Sequence, residues 1–194
     1  MKLIQKIAIV TISSFLVACT TESSFNLDDY DKYRSKVGSA SEMLPSLNFF
    51  HDYEDMQFTY RLVVEFIFQT EGMALFIDYD ENNYAIASEE VNNRYEYLTE
   101  PSEGKYLQFP VTNFTYGGYD FKISPLLHTH VDGDTYYDCK SFTMVGFDAA
   151  KYRIALLYFY DFDLDYLCEG DESEKQKNER MPNLIKDAFF WRRH

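Results

Sequence analysis

The sequence predicts an α+β domain: one mostly antiparallel sheet with helices packed on one face. Three observations predict it. Apolar residues fall at every second position over several stretches, hairpin-like turns separate those stretches, and few helical segments intervene to make parallel crossovers. The 194 residues are 46% hydrophobic and 18% aromatic, enough for one core and too aromatic for a disordered chain. No internal repeat and no Pro/Gly/Ser linker divides them, so residues 27–194 read as a single domain.

The elements follow in order. Asp28 or Asp29 caps a short helix with Tyr30, Tyr33 and Val37 on one side and Gly38 near its end. Residues 41–55, around Pro45, are irregular. Phe58, Tyr60, Leu62, Val64, Phe66 and Phe68 then alternate as in a strand, and Glu71-Gly72 turns the chain into a second strand over 73–79. Asp80 is an N-cap, with Tyr84, Ala87, Val91, Tyr95 and Leu98 on one face of the helix it starts. Strands are expected over 106–111, 119–124, 142–147 and 152–162, with a polar loop over 128–138. The charged stretch 169–181 reads as a mobile loop. Pro182 opens a last helix that turns Leu184, Ile185, Ala188 and Phe189 inward and sets Arg192 and Arg193 at its C-terminal dipole. The aromatic residues sit mainly at alternating strand positions, as core and cross-strand pairs rather than as a ligand platform.

The formal charge is −14, which repels phosphate instead of displacing its counterions, so nucleic acid is excluded as a partner. The amino terminus has its own pattern. Met1 to Lys6 is short and basic, and Ile7 to Ala18 is mostly apolar and free of charge. A polar stretch, Thr20 to Ser24, follows Cys19. This is the layout of a secretory signal. Twelve helical residues reach about 18 Å, short of the ~30 Å hydrocarbon core, so the run is no stable span.

Leu16-Val17-Ala18-Cys19 resembles the lipobox of bacterial lipoproteins: Leu, a variable residue, a small residue, then Cys. The resemblance implies a signal peptide over 1–18, cleavage between Ala18 and Cys19, and a diacylglycerol on the Cys19 thiol, with palmitate as a further modification of the class. Two acyl chains bury many methylenes at ~0.8 kcal/mol each, which gives durable anchoring where one chain does not. Cleavage would remove Lys2 and Lys6, leaving 176 residues at −16. Residues 19–26 would then be the lipidated cysteine and a tether of at most ~25 Å, holding an acidic domain close to anionic headgroups that repel it.

Outside the cytoplasm Cys139 and Cys168 are permitted a disulfide, which would close a loop of roughly thirty residues worth ~3–4 kcal/mol. The alternative is two unrelated thiols. No Cys-x-x-Cys or Cys/His cluster marks a zinc or redox site. Asp161, Asp163 and Asp165 begin like a calcium loop, with Glu172 at the twelfth position. Tyr166 occupies the sixth, where such a loop needs Gly. On a strand those Asp Cα atoms stand ~6.6–7 Å apart, which favours an acidic strand end over a Ca2+ site. His128, His130, Asp132 and Asp134 offer a zinc pair in principle, but Gly133 and the surrounding polarity suit a surface loop. Asn113-Phe-Thr115 is a glycosylation sequon, ordinarily idle in a bacterium.

Signatures of nucleophile elbows, zinc proteases, phosphate loops and Ser-x-x-Lys enzymes are missing. The sequence therefore points to a lipid-anchored extracytoplasmic domain that binds an envelope protein or a small ligand without catalysis. The alternative is a carboxylate- or metal-dependent envelope hydrolase built on Asp161, Asp163 and Asp165. No cofactor is expected beyond the covalent lipid, with Ca2+ as the candidate metal.

Overall fold

The computed structural model describes residues 20–65, 68–100, 109, 111–129, 135–161 and 174–189. They form the predicted α+β domain around one antiparallel sheet of seven strands. In chain order the strands are β1 (Thr20–Ser24), β2 (Asp55–Glu65), β3 (Phe68–Asp78), β4 (Asn113–Tyr116), β5 (Tyr119–Thr129), β6 (Thr135–Asp148) and β7 (Arg153–Asp161). The helices are α1 (Tyr30–Arg34), α2 (Ala40–Met43), α3 (Glu81–Arg94) and α4 (Glu174–Ala188), with single 3-10 turns at Leu27–Asp29 and Leu47–Phe49.

The sheet order β1-β2-β3-β7-β6-β5-β4 has a simple origin. One antiparallel ribbon, β1 to β3, starts at one edge. The chain then passes through α3 to the far edge and returns as a meander from β4 to β7, so β7 docks on β3 in the middle. That central strand explains the layering. Ile154 to Phe159 is apolar at every position and each residue is buried. A strand buried on both sides needs cover on both faces. Ile154, Leu156 and Tyr158 meet the N-terminal helices and α3, through Tyr30, Tyr33, Val37, Ala87 and Val91. Ala155, Leu157 and Phe159 meet α4, through Met181, Leu184, Ile185 and Phe189, together with Leu98 and Phe109. The helices are thus divided between the two faces rather than gathered on one, as the sequence had suggested.

Other boundaries differ for identifiable reasons. Residues 20–24, expected as tether, form an edge strand on β2 with Thr20 opposite Val64 and Ser24 opposite Tyr60. Strand β2 ends at Glu65 and β3 begins at Phe68, so Glu71-Gly72 lies inside β3 and is not the turn. Gly72 serves close approach instead: a Cβ there would stand 2.6 Å from the Ala188 carbonyl oxygen. The expected loop over 128–138 is partly strand, with His128 opposite Tyr136 and Thr129 opposite Thr135. The charged stretch 169–181 is helical from Glu174, and Pro182 sits within α4 rather than at its start. Glu, Lys, Gln and Arg are good helix formers, and the buried Met181, Leu184 and Ile185 hold the helix across the missing proline N–H. Of the expected strand over 106–111, only Phe109 and Val111 lie among the described residues, and neither is in a strand.

Asp80 caps α3 as expected. Its Oδ1 accepts from the backbone N–H groups of Asn82 (2.8 Å) and Asn83 (2.9 Å), and Oδ2 accepts from Asn83 Nδ2 at 2.9 Å. Asp80→Ala should lower stability by about 1 kcal/mol, whereas Asp80→Asn should retain most of it. A shifted urea midpoint at unchanged slope would show this. Equal midpoints would mean that packing alone fixes the helix start.

Candidate functional site

The described part of the sequence-derived site is Asp161, at the end of β7. It is 8% exposed, lies opposite Thr70 of β3, and accepts from Thr70 Oγ1 at 2.8 Å. Its side chain borders a cleft of about 220 Å³ between the sheet and α4, with Arg61, Val63, Phe159 and Leu184 in the walls. Arg61 donates to the Asp187 carbonyl there, tying β2 to the end of α4. Asp163, Asp165, Cys19, Cys168, His130, Asp132 and Asp134 lie outside the described residues. The backbone of Cys139 is in β6, where the register jumps from Pro125–Phe142 to Leu126–Asp138 and leaves residues 139–141 in a bulge. The geometry therefore brings Asp161 to a cleft beside α4. Among the described residues, no group of three or more His, Cys, Asp or Glu is placed to hold a metal ion.

A second polar cluster was not marked by any motif. Glu71 points to the face of β3 that also carries Met73, Leu75 and Ile77, and it is only 5% exposed. Gln69 Nε2 donates to its Oε1, while Oε2 is buried without a hydrogen-bond partner. Burial pushes the Glu71 carboxyl above its ordinary range and the Glu22 carboxylate adds to this, partly offset by the Gln69 bond. Around it, Tyr33 stacks on Tyr60 with ring centres 3.9 Å apart and donates to Glu22 Oε1 at 2.7 Å. The Tyr158 hydroxyl accepts from the Ser39 N–H at 3.1 Å and lies 3.3 Å from Ser141 Oγ. Together these bonds pin the α1–α2 connection to β6 and β7.

The third feature is a smaller cleft of about 130 Å³ between α3 and the turn at 49–52. Its floor is built locally. Glu54 N–H bonds the Asp78 carbonyl (2.8 Å), which holds this turn against the end of β3, and Tyr79 N–H bonds the carbonyl of Tyr152 (2.9 Å) in the turn between β6 and β7. Asp80 then starts α3 at once, so Tyr79 is fixed beneath the helix. Phe49 and Phe50 pack edge to face at 5.1 Å, and Asp52 takes a left-handed φ of 53°. Asp is among the few non-glycine residues that adopt this conformation readily. Tyr79 is 3% exposed, and its hydroxyl is buried without a partner. Burial, then the nearby Glu90 carboxylate, pushes its phenol up to about 12. Nothing in the sequence distinguishes Tyr79 from the other strand tyrosines. Its position between a strand end and an N-cap was the only available hint.

Among the described residues, no helix is long and apolar enough to cross a membrane. Comparison with protein-family models, curated proteins and solved structures finds no match.

Proposed function

We propose that this chain is a bacterial lipoprotein, anchored on the extracytoplasmic side of the cell membrane through a diacylglycerol on Cys19. Its α+β domain binds an envelope partner or small ligand and does not catalyse a reaction. The observation that carries the reading is Leu16-Val17-Ala18-Cys19 at the end of a basic, then uncharged apolar, leader. Thr20, the next residue, enters the sheet at once opposite Val64. An anchor at Cys19 would leave almost no spacer, so the β1 edge would stand at the headgroups and turn little. At a net −16 after cleavage the domain is repelled by anionic lipid, and the acyl chains must supply the affinity. The clefts against α3 and α4, lined by polar and apolar side chains alike, support binding as the domain's activity.

Cys19→Ser tests this in cells. The wild-type chain is expected in the membrane fraction, carrying the added mass of a lipid. The variant is expected as uncleaved precursor or as soluble material. A cysteine variant retained as lipid-bearing mature protein would refute the anchor.

A further inference from the structure

We propose that β1 is a pH-released strand: ionisation of the buried Glu71 carboxyl, facing Glu22, loosens β1 from β2 and frees the chain that follows Cys19. The cross-strand register places the two acids. Glu22 of β1 lies opposite Leu62 of β2, Leu62 opposite Glu71 of β3, and Glu71 opposite Tyr160 of β7. Residues directly opposite share a face of the sheet. The two acids therefore point to one side, two strand spacings or about 9–10 Å apart at their backbones. Leu62, between them, neutralises neither.

The surroundings of Glu71 supply no counter-charge. Gln69, on the same strand, donates to Oε1, and Oε2 is buried without a hydrogen-bond partner. The titratable neighbours are Tyr60 of β2, with Tyr33 of α1 stacked on it, and Tyr158 and Tyr160 of β7. Ser141 of β6, opposite Tyr160, is uncharged. Lys32 lies over the Tyr33 ring and pairs with Asp29, and Arg61 bonds the Asp187 carbonyl on the α4 face. Among the described residues, the charged side chain that acts on Glu71 is the Glu22 carboxylate. Burial first, then Glu22, holds the Glu71 carboxyl above its ordinary range. Protonated, it faces Glu22 as a neutral group; ionised, it sets two carboxylates against each other across one leucine.

The element that yields is β1. It is a five-residue edge strand, and four of the five residues are exposed. Its departure uncovers little apolar surface, which is the property of segments that open locally. It costs the ladder to β2 and the Tyr33–Glu22 bond of 2.7 Å. In return Glu22 moves away, and β2 becomes the sheet edge, one strand from Glu71. Under the lipid-anchor reading, on which this consequence alone rests, residues 20–26 then become a tether of up to ~25 Å. Rising pH would let the acidic domain stand off the headgroups.

Amide hydrogen exchange of the full-length protein in detergent micelles tests this at pH 5 and pH 8, read as protection factors so that the intrinsic rate cancels. The β1 amides bonded to β2 are expected to lose about fivefold in protection between the two. Amides of Ile154–Phe159 should stay better protected at both values, since the release is local. Glu71→Gln should abolish the loss, and Glu22→Gln, which keeps an acceptor for Tyr33, should reduce it. A change in β1 of less than about twofold, an undiminished loss in either variant, or equal protection in β1 and β7 would each overturn the proposal. The two readings fail separately. Lipid-bearing protein after Cys19→Ser refutes the anchor and leaves the strand release standing, whereas an anchored chain whose β1 ignores pH refutes the release alone.

Discussion

Gly146→Ala is expected to destabilise the domain by about 1–3 kcal/mol, although the same substitution in an open strand would stabilise it by a few tenths to one. A Cβ at position 146 would stand 2.4, 2.7 and 2.8 Å from Cε1, Cδ1 and Cζ of Phe121. Phe121 is the direct cross-strand partner of Gly146, and it is fully buried. Its ring is stacked between Phe114 (5.2 Å) and Tyr119 (5.7 Å), which leaves it nowhere to retreat. The clash therefore outweighs the backbone gain. Urea unfolding of the variant should show a lower midpoint. In a Phe121→Leu background the added cost of Gly146→Ala should fall well below its value in the wild type, because the two sites share one contact. A Gly146→Ala chain as stable as the wild type would mean that β5 and β6 separate freely, contrary to the packing described.

The same glycine shows what a sequence discloses about such a sheet. Phe121 alternates visibly with Asp120 and Lys122, so the strand is legible; that its ring covers a glycine on the neighbouring strand is not, because register depends on pairing across the chain. Gly72 misleads more directly. Beside Glu71, in a stretch of alternating apolar residues, it has the look of a turn, yet its missing side chain admits the end of α4. Ile154 to Phe159 offered the clearest unused signal. A six-residue apolar run implies a strand buried on both faces, and with it a helix on each. The helix from Glu174 was obscured because charge and a following proline resemble a loop when the buried stripe at 181, 184, 185 and 188 is counted only from Pro182.

The candidate sites were legible to a smaller degree. Asp161 stood out through its spacing from Asp163 and Asp165, and it does border a cleft, but its oxygen is already engaged by a threonine on the next strand. Tyr79 and Glu71 had no motif to announce them. Each matters through burial, and burial is a property of what folds over a residue: α3 over Tyr79, the α1–α2 segment over the face that carries Glu71. Local sequence describes neither cover.

Glu71 carries the second large expectation: Glu71→Gln should make the protein more stable at pH 8, by about 1–3 kcal/mol, and leave it nearly unchanged at pH 4. The carboxyl is buried beside Tyr60 and Tyr158, faces the Glu22 carboxylate, and has one oxygen without a hydrogen bond. Burial raises its pKa in the folded state above the ordinary 4.5. Below 4.5 both folded and unfolded chains hold the proton, and folding pays no ionisation penalty. Between 4.5 and the higher folded value the native protein binds a proton that the unfolded chain has released, so stability falls as pH rises. Above that value the full penalty persists. A glutamine keeps the acceptor that Gln69 uses and cannot ionise, which removes this slope and no other. Thermal melts of both proteins at pH 4 and pH 8 isolate it, since the remaining acids titrate alike in each. If Glu71→Gln instead melts lower at pH 8, the carboxylate is held by a favourable partner and the buried pocket is built to keep a negative charge rather than to exclude one.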